Sequence, residues 1–162
     1  MSKTTPRCFT EGGRGSYSLC LSKQGCLLSR IKTSGECLGE VACEQLFSFH
    51  GPPEEEIILD KTIAFFDGQH AFLVRKGRKI TLLRQESFMF SSYVSLGDEI
   101  GVGQVIASKL SRKGTLRRIR SNIGGTILLV TADPLGKTSR YIILVDTEGV
   151  HEKLDCRNEQ RA

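Results

Sequence analysis

The most informative stretch of this chain runs from Gly97 to Val130, GDEIGVGQVIASKLSRKGTLRRIRSNIGGTILLV. Gly97 and Gly103 each begin a short pattern in which the next residue, Asp98 or Gln104, is polar. Glycine adopts a positive φ without a Cβ clash, and the polar side chain after it can accept hydrogen bonds from nearby backbone amides. The pattern therefore predicts tight strand-to-strand turns in an all-β domain.

The same stretch resembles biotinyl/lipoyl carrier domains, small barrels in which two similar four-stranded halves pack around one core. GDEIGVGQVIA is similar to the first half of such a domain, and SNIGGTILLV, residues 121–130, to the start of the second. The likeness extends from residue 94 to residue 146. More narrowly, the whole chain resembles an archaeal family of uncharacterised proteins that carry this barrel. The resemblance implies an all-β fold of the barrel-sandwich hybrid type.

The resemblance also implies an attachment site at Lys113, ten positions after Gly103 and at the tip of the hairpin joining the halves. Biotin carriers place this lysine between methionines and lipoate carriers place it after an acidic residue, whereas Arg112 precedes it here. The spacing to Gly125 is one residue longer than in carriers, unless Gly124 takes the equivalent place. These departures favour a solvated lysine over a biotin or lipoate attachment site, and we expect no cofactor.

Outside this stretch, the chain divides into two predicted domains. Residues 1–50 contain short apolar runs between glycine-rich turns and predict a small N-terminal β-rich subdomain. Gly51–Glu56 holds two prolines and three glutamates, and we predict a surface connector because proline lacks an amide donor and favours extended backbone. Residues 51–162 are rich in β-branched and aromatic runs and predict the biotinyl/lipoyl-like barrel domain, with a turn at Asp133–Gly136.

Positive charge is concentrated in the hairpin that joins the two halves, residues 104–121, which we name the basic hairpin. The chain has a net charge of +5, yet residues 100–132 include no acidic side chain. Five cations of this hairpin are the predicted partner-binding residues: Arg112, Lys113, Arg117, Arg118 and Arg120. Their predicted partners are an acidic protein surface or a nucleic acid, RNA or DNA. The alternative is a solvated hairpin that keeps the protein soluble.

Two features limit this prediction. Strand alternation puts Arg118 and Arg120 on one face of the hairpin and Arg117 on the other, so the guanidinium groups do not all converge. Phe88, Phe90 and Tyr93 precede the first glycine turn, and we expect them in the core rather than in a platform for stacking bases.

The six cysteines allow three interpretations. No C-x-x-C motif is present, and the three histidines lack the spacing of metal ligands, so we predict no metal site. The sequence favours free, partly buried thiols. The alternative is a disulfide framework among Cys20, Cys26, Cys37 and Cys43, because intracellular proteins of some hyperthermophiles carry such bonds.

Enzyme motifs are not evident in the sequence. It has no G-x-S-x-G elbow, no phosphate-binding loop and no H-E-x-x-H motif. Glu54–Glu56, beside two prolines, reads as a solvated loop rather than as an acid/base pair. No run of about 18 apolar residues or secretory signal is evident, so we expect a cytoplasmic protein. We therefore predict a non-catalytic binding or scaffolding protein.

Overall fold

The computed structural model describes residues 5–23, 25–33, 35–134 and 139–158. Within them it contains fifteen strands and one short 3₁₀ helix, Cys43–Gln45. The all-β prediction is confirmed. The predicted turn Asp133–Gly136 extends into residues 135–138, which lie outside the described residues. The strands are β1 Arg7–Thr10, β2 Ser18–Ser22, β3 Gly25–Ser29, β4 Cys37–Val41, β5 Glu54–Ile58, β6 Ile63–Phe66, β7 His70–Val74, β8 Lys79–Ser87, β9 Met89–Ser92, β10 Glu99–Ile100, β11 Val105–Leu110, β12 Leu116–Arg120, β13 Gly125–Ala132, β14 Ser139–Asp146 and β15 Glu152–Asn158.

The chain forms two compact units, each assembled from separate segments. Unit 1 comprises residues 1–46, 58–78 and 151–162, and unit 2 comprises residues 47–57 and 79–150. The boundary predicted at residue 50 lies near the first change of unit, but later segments return to unit 1. Compact units need not coincide with domains, so the division into 1–50 and 51–162 stays a prediction.

Unit 1 is a closed barrel of seven strands in the order β1-β4-β2-β3-β15-β7-β6. Most neighbouring strands are antiparallel, and β15 runs parallel to β3 while it is antiparallel to β7. The strands β6 and β7 are nearly continuous apolar runs because their residues are buried on both faces. Phe9, Leu19, Leu38 and Leu73 are almost completely buried in the barrel core. Closure leaves no free edge along this sheet.

All six cysteines form disulfide bonds in unit 1, so the expectation of free thiols is wrong. The bonds are Cys8–Cys43, Cys20–Cys37 and Cys26–Cys156. Barrel pairing brings these residues together, since Cys20 lies opposite Cys37 and Cys26 opposite Cys156. The last two are 130 positions apart in the sequence. Spacing along the chain therefore carried no signal of this pairing.

Unit 2 is built from a five-stranded sheet, β10-β13-β14-β8-β5, and a three-stranded sheet, β12-β11-β9. One hydrophobic core joins them, with Leu83, Ile127 and Ile143 from the larger sheet and Ile106 from the smaller. The strands β13 and β14 are largely buried, as their continuous apolar runs predict. The three-stranded sheet has two unpaired edges, β12 and β9.

The predicted surface connector before residue 57 is wrong in part, because Glu54–Ile58 forms the edge strand β5 of the five-stranded sheet. Exposed and partly covered residues alternate along β5, which is the pattern of a strand covered on one face. The Arg84 guanidinium on the adjacent strand contacts the Glu55 carboxylate at 2.7 Å and donates to the carbonyls of Ser48 and Pro52. This partner makes a charged strand tolerable at the edge.

Candidate binding surface at the basic hairpin

The basic hairpin is a two-stranded antiparallel ribbon of β11 and β12 in unit 2. Leu110 pairs with Leu116 at its end, and Lys109 pairs with Arg117. In the connecting turn, the amide of Gly114 donates to the Ser111 carbonyl at 3.0 Å. Gly114 has φ +85°, a left-handed conformation that favours glycine. The chain therefore reverses at this turn, and β11 and β12 pair along their length.

Two glycine turns connect the base of the hairpin to the rest of unit 2. The amide of Gly103 donates to the Ser121 carbonyl at 2.6 Å, and the amide of Ser121 returns a bond to Gln104 at 2.8 Å. Gly97 and Asp98 exchange the same kind of pair with Ile127, at 2.8 Å in each direction. Both glycines have positive φ, 92° and 88° in chain order. These paired bonds fix the direction in which the hairpin leaves the core.

The polar residues of the turns have the roles that the pattern predicts. One carboxylate oxygen of Asp98 accepts a hydrogen bond from the Ser95 amide at 2.9 Å. The side-chain oxygen of Gln104 accepts one from the Gly101 amide at 3.0 Å. Both side chains close the turn that precedes them, so these residues stabilise the hairpin base rather than face a ligand.

All five predicted partner-binding residues are exposed. None of them forms a salt bridge with any acidic side chain in the described part of the chain. Arg120 donates to the carbonyl of Gly103 at 3.0 Å, and the Arg112 guanidinium carbon lies 5.5 Å from the centre of the Phe88 ring. The nearby Lys109 differs, because it is partly buried and its ammonium contacts Gln85 at 3.3 Å. The hairpin therefore exposes positive charge that intramolecular carboxylates do not neutralise.

The strand register divides the charges between two faces. Arg118 aligns with Ser108 on β11, which in turn aligns with Ser91 on β9. Arg117 aligns with Lys109, in the alternate row. The guanidinium groups of Arg117 and Arg118 thus start on opposite sides of the sheet, as strand alternation predicts.

The three aromatic residues before the first glycine turn do not share one environment. Phe90 is partly buried against the core of unit 2, where its ring stacks on Tyr141 with a centroid distance of 4.3 Å. Phe88 and Tyr93 are instead 50% and 49% exposed. The expectation that all three belong to the core is therefore wrong for two of them. Exposure alternates from Met89 to Val94, and Phe88 is exposed at the bend before β9, so neither ring's exposure was predictable without the position of this strand.

Lys113 is exposed in the turn that joins β11 to β12. Gly124 and Gly125, the two glycines that follow the basic hairpin, differ in backbone conformation. Gly125 has φ +153°, whereas Gly124 lies outside the positive-φ region. A Cβ at Gly125 would also meet the backbone of Asp146. Gly125 therefore occupies the position at which the backbone requires glycine.

Comparison with protein families gives a match over residues 4–148 to the family described as "Uncharacterized protein conserved in archaea (DUF2118)". The chain belongs to this archaeal family. The match includes the basic hairpin, both glycine turns and five of the six cysteines. A comparison with curated proteins finds no match. Among the residues that the structure describes, no helix is long and apolar enough to cross a membrane.

A groove of about 380 Å³ also lies in unit 2, between the basic hairpin and the edge of the larger sheet. Its lining includes the core residues Leu83 and Ile106, together with the charged residues Glu54 and Arg120. Opposite charges therefore lie around one opening. The groove lacks the uniformly positive character of the hairpin tip, so the hairpin surface is the better candidate site for an anion.

Proposed function

We propose that this member of the archaeal family is a non-catalytic binding protein that presents the basic hairpin to an anionic macromolecule. The observation that carries the proposal is the exposure of five cations that form no salt bridge with a carboxylate among the residues that the structure describes. A cluster of this kind attracts a polyanion over a distance of about 10 Å, the Debye length at 0.1 M salt. Binding would release counterions and weaken steeply as salt is added.

We also propose that unit 2 is the biotinyl/lipoyl-like barrel-sandwich hybrid. Two sheets around one core, with a hairpin that protrudes from the smaller sheet, support this proposal.

We place the protein in the cytoplasm. Three disulfides do not oppose this location, because intracellular proteins of hyperthermophilic archaea are often rich in them.

The test uses a fluorescent heparin fragment as the anionic probe. The triple variant Arg117→Ala, Arg118→Ala and Arg120→Ala should bind it about tenfold more weakly at 0.1 M salt, a loss of about 1.4 kcal/mol, and with a shallower salt dependence. The matched control is Arg14→Ala, Lys23→Ala and Lys32→Ala, which removes three exposed charges from unit 1. Equal losses in the two triple variants would show attraction to net charge alone and would contradict a hairpin site.

A second candidate function is a biotin or lipoate carrier modified at Lys113. The specific observation in its favour is the exposure of this lysine in the turn of the hairpin formed by β11 and β12. Intact mass of protein purified from its native host tests this function. A biotin or lipoate adduct that disappears in Lys113→Gln would support it, and an unmodified mass would exclude it.

A further inference from the structure

One face of the three-stranded sheet in unit 2 carries large side chains that are exposed. Along β9, Met89 and Ser91 are exposed while Phe90 and Ser92 are partly buried. The amide of Tyr93 bonds to the carbonyl of Ile106 at 2.9 Å, so the pairing with β11 extends past the end of β9. We name this side of the sheet the outer face. It carries the exposed Met89, Ser91, Leu116 and Arg118, the partly buried Leu110 and the buried Ser108, and the exposed Tyr93 follows it.

The outer face has small side chains at its centre, and exposed aromatic residues flank β9 at both ends. The two serines aligned across β9 and β11 keep its middle low. Tyr93 follows one end of β9, and Phe88 precedes the other. Met89 and Leu116 are 56% and 63% exposed, and they lie in one cross-strand apolar row next to the bend at Phe88. Flat aromatic rings on an open sheet are suited to stack against other flat rings.

Cations lie beside these rings. The Arg112 guanidinium carbon is 5.5 Å from the centre of the Phe88 ring, and Arg118 extends from the outer face itself. No acidic residue occurs in the sequence from residue 87 to 97 or from 100 to 132. A ligand on this face would therefore find aromatic rings and positive charges together, with no carboxylate from those segments to repel it.

We propose that the outer face and the adjoining bend at Phe88 bind single-stranded nucleic acid, with bases stacked on Phe88 and Tyr93 and phosphates held by Arg112 and Arg118. This inference rests on the proposed function, and it names the anionic partner. Every base has a flat face that stacks on an aromatic ring, so the site discriminates little between sequences. A double helix hides those faces within its own stack, so a duplex would gain only the contacts to phosphate.

Exposed aromatic residues distinguish this partner from a simple polyanion. Charge complementarity alone would be met by the five cations of the basic hairpin and would leave the exposure of Phe88 and Tyr93 unexplained. An acidic protein segment would use the same charges, and the experiment below includes it as a probe.

The experiment measures fluorescence anisotropy with four anionic probes at fixed salt. They are a twelve-nucleotide oligouridine, an RNA duplex of the same length, heparin and an acidic poly-glutamate peptide. The full chain should bind the oligouridine most tightly. Phe88→Ala and Tyr93→Ala should each weaken oligouridine binding about tenfold, or about 1.4 kcal/mol, and leave heparin binding unchanged. Tyr93→Phe, which keeps the ring, should bind like the parent chain.

Val102→Ala is the matched control, since this residue of unit 2 is 75% exposed and lies outside the outer face. Thermal melting of every variant checks that a loss of binding is not a loss of folding. If heparin and oligouridine bind equally and neither ring matters, the proposed function stands and single-strand recognition is wrong. Tighter binding of poly-glutamate than of RNA would identify a protein partner and would likewise overturn single-strand recognition. No binding of any probe would contradict both proposals.

Discussion

The barrel of unit 1 contains all six cysteines, in three disulfides, whereas unit 2 contains no cysteine. Both units have a buried hydrophobic core and glycines at positive φ. The difference is therefore that unit 1 adds covalent cross-links to a packed core, whereas unit 2 has none. The cross-links stabilise unit 1 by restricting its unfolded chain, and burial of apolar side chains stabilises both units.

The units also differ in how their surface charges are arranged. In unit 1, the Arg7 guanidinium forms two 2.7 Å bonds to the Glu40 carboxylate, and Arg75 contacts both Glu36 and Glu152. Hydrogen bonds to these carboxylates raise the pKa of Arg7 and of Arg75 above the usual value. The cations of the basic hairpin have no such partners in the described residues. Charge that is not neutralised within the chain is available to another molecule.

The largest test of the comparison removes the longest disulfide loop. Replacing Cys26 and Cys156 together by Ala should destabilise unit 1 by about 5 kcal/mol, and replacing Cys20 and Cys37 by about 3 kcal/mol, because loop entropy grows with a separation of 130 against 17 residues. Hydrogen exchange resolved along the chain should locate the loss in unit 1. A larger loss for the shorter loop would show that loop entropy does not control the stability of this barrel.

The second test removes core volume from unit 2. Ile127 is completely buried, so Ile127→Ala should cost about 3 kcal/mol in the free energy of unfolding through lost burial and a cavity. Val102→Ala is the control, and we expect a change within about 0.5 kcal/mol because that side chain is largely exposed. Urea unfolding measures both. If Ile127→Ala proved as mild as its control, the shared core would not be what holds unit 2 together.

The third test separates two adjacent glycines. Gly125→Ala should cost about 2 kcal/mol because the backbone has φ +153° and a Cβ would meet Asp146. Gly124→Ala should cost less than about 0.5 kcal/mol, since the nearest atom, the carbonyl oxygen of Ile100, lies 3.4 Å from the added Cβ. Thermal melting of the two variants should rank them clearly. The reverse order would mean that Gly124, and not Gly125, is the position in this turn that requires glycine.

The smallest effect concerns acid and belongs to unit 1. The Glu11 carboxylate accepts a hydrogen bond from the Thr62 amide at 2.9 Å, and this bond lowers the pKa of Glu11. The carboxylate therefore stabilises the fold fully above its unfolded pKa of about 4.3, and this contribution disappears as the pH falls through the lower folded value.

The matched variant for this test is Glu11→Gln, which keeps the size of the side chain. Near pH 6 this variant should be less stable than the parent chain, and below pH 3 the two should be about equally stable. Urea unfolding at each pH measures the difference. A difference that grew toward low pH would contradict the lowered pKa.

Local patterns in the sequence were sufficient for much of unit 2. Glycine followed by a polar residue predicted the turns at Gly97 and Gly103, because positive φ and the side-chain bond depend on adjacent residues. The hairpin followed from the same local chemistry. The strand β5 was missed because its glutamates and the two prolines before it resemble a loop. Its charge at an edge is explained by partners on the next strand, where Arg84 contacts Glu55 and Lys79 contacts Glu56.

Only part of the candidate site could be predicted from local sequence patterns. The five cations were found because charge is a property of each residue. Phe88 and Tyr93 were assigned to the core because an aromatic run normally reports burial, and their exposure depends on which face of β9 is covered. The run FMFSSYV, residues 88–94, does not alternate apolar and polar residues, so the sequence offered no signal of which rings are exposed.

The sequence by itself determined the all-β class, the glycine turns and the concentration of positive charge, since each depends on residues close together along the chain. Only the tertiary structure decided the closure of the barrel, the pairing of Cys26 with Cys156 and the exposure of the two aromatic rings. These features depend on contacts between distant segments, and a pattern of neighbouring residues does not encode which strands will become neighbours.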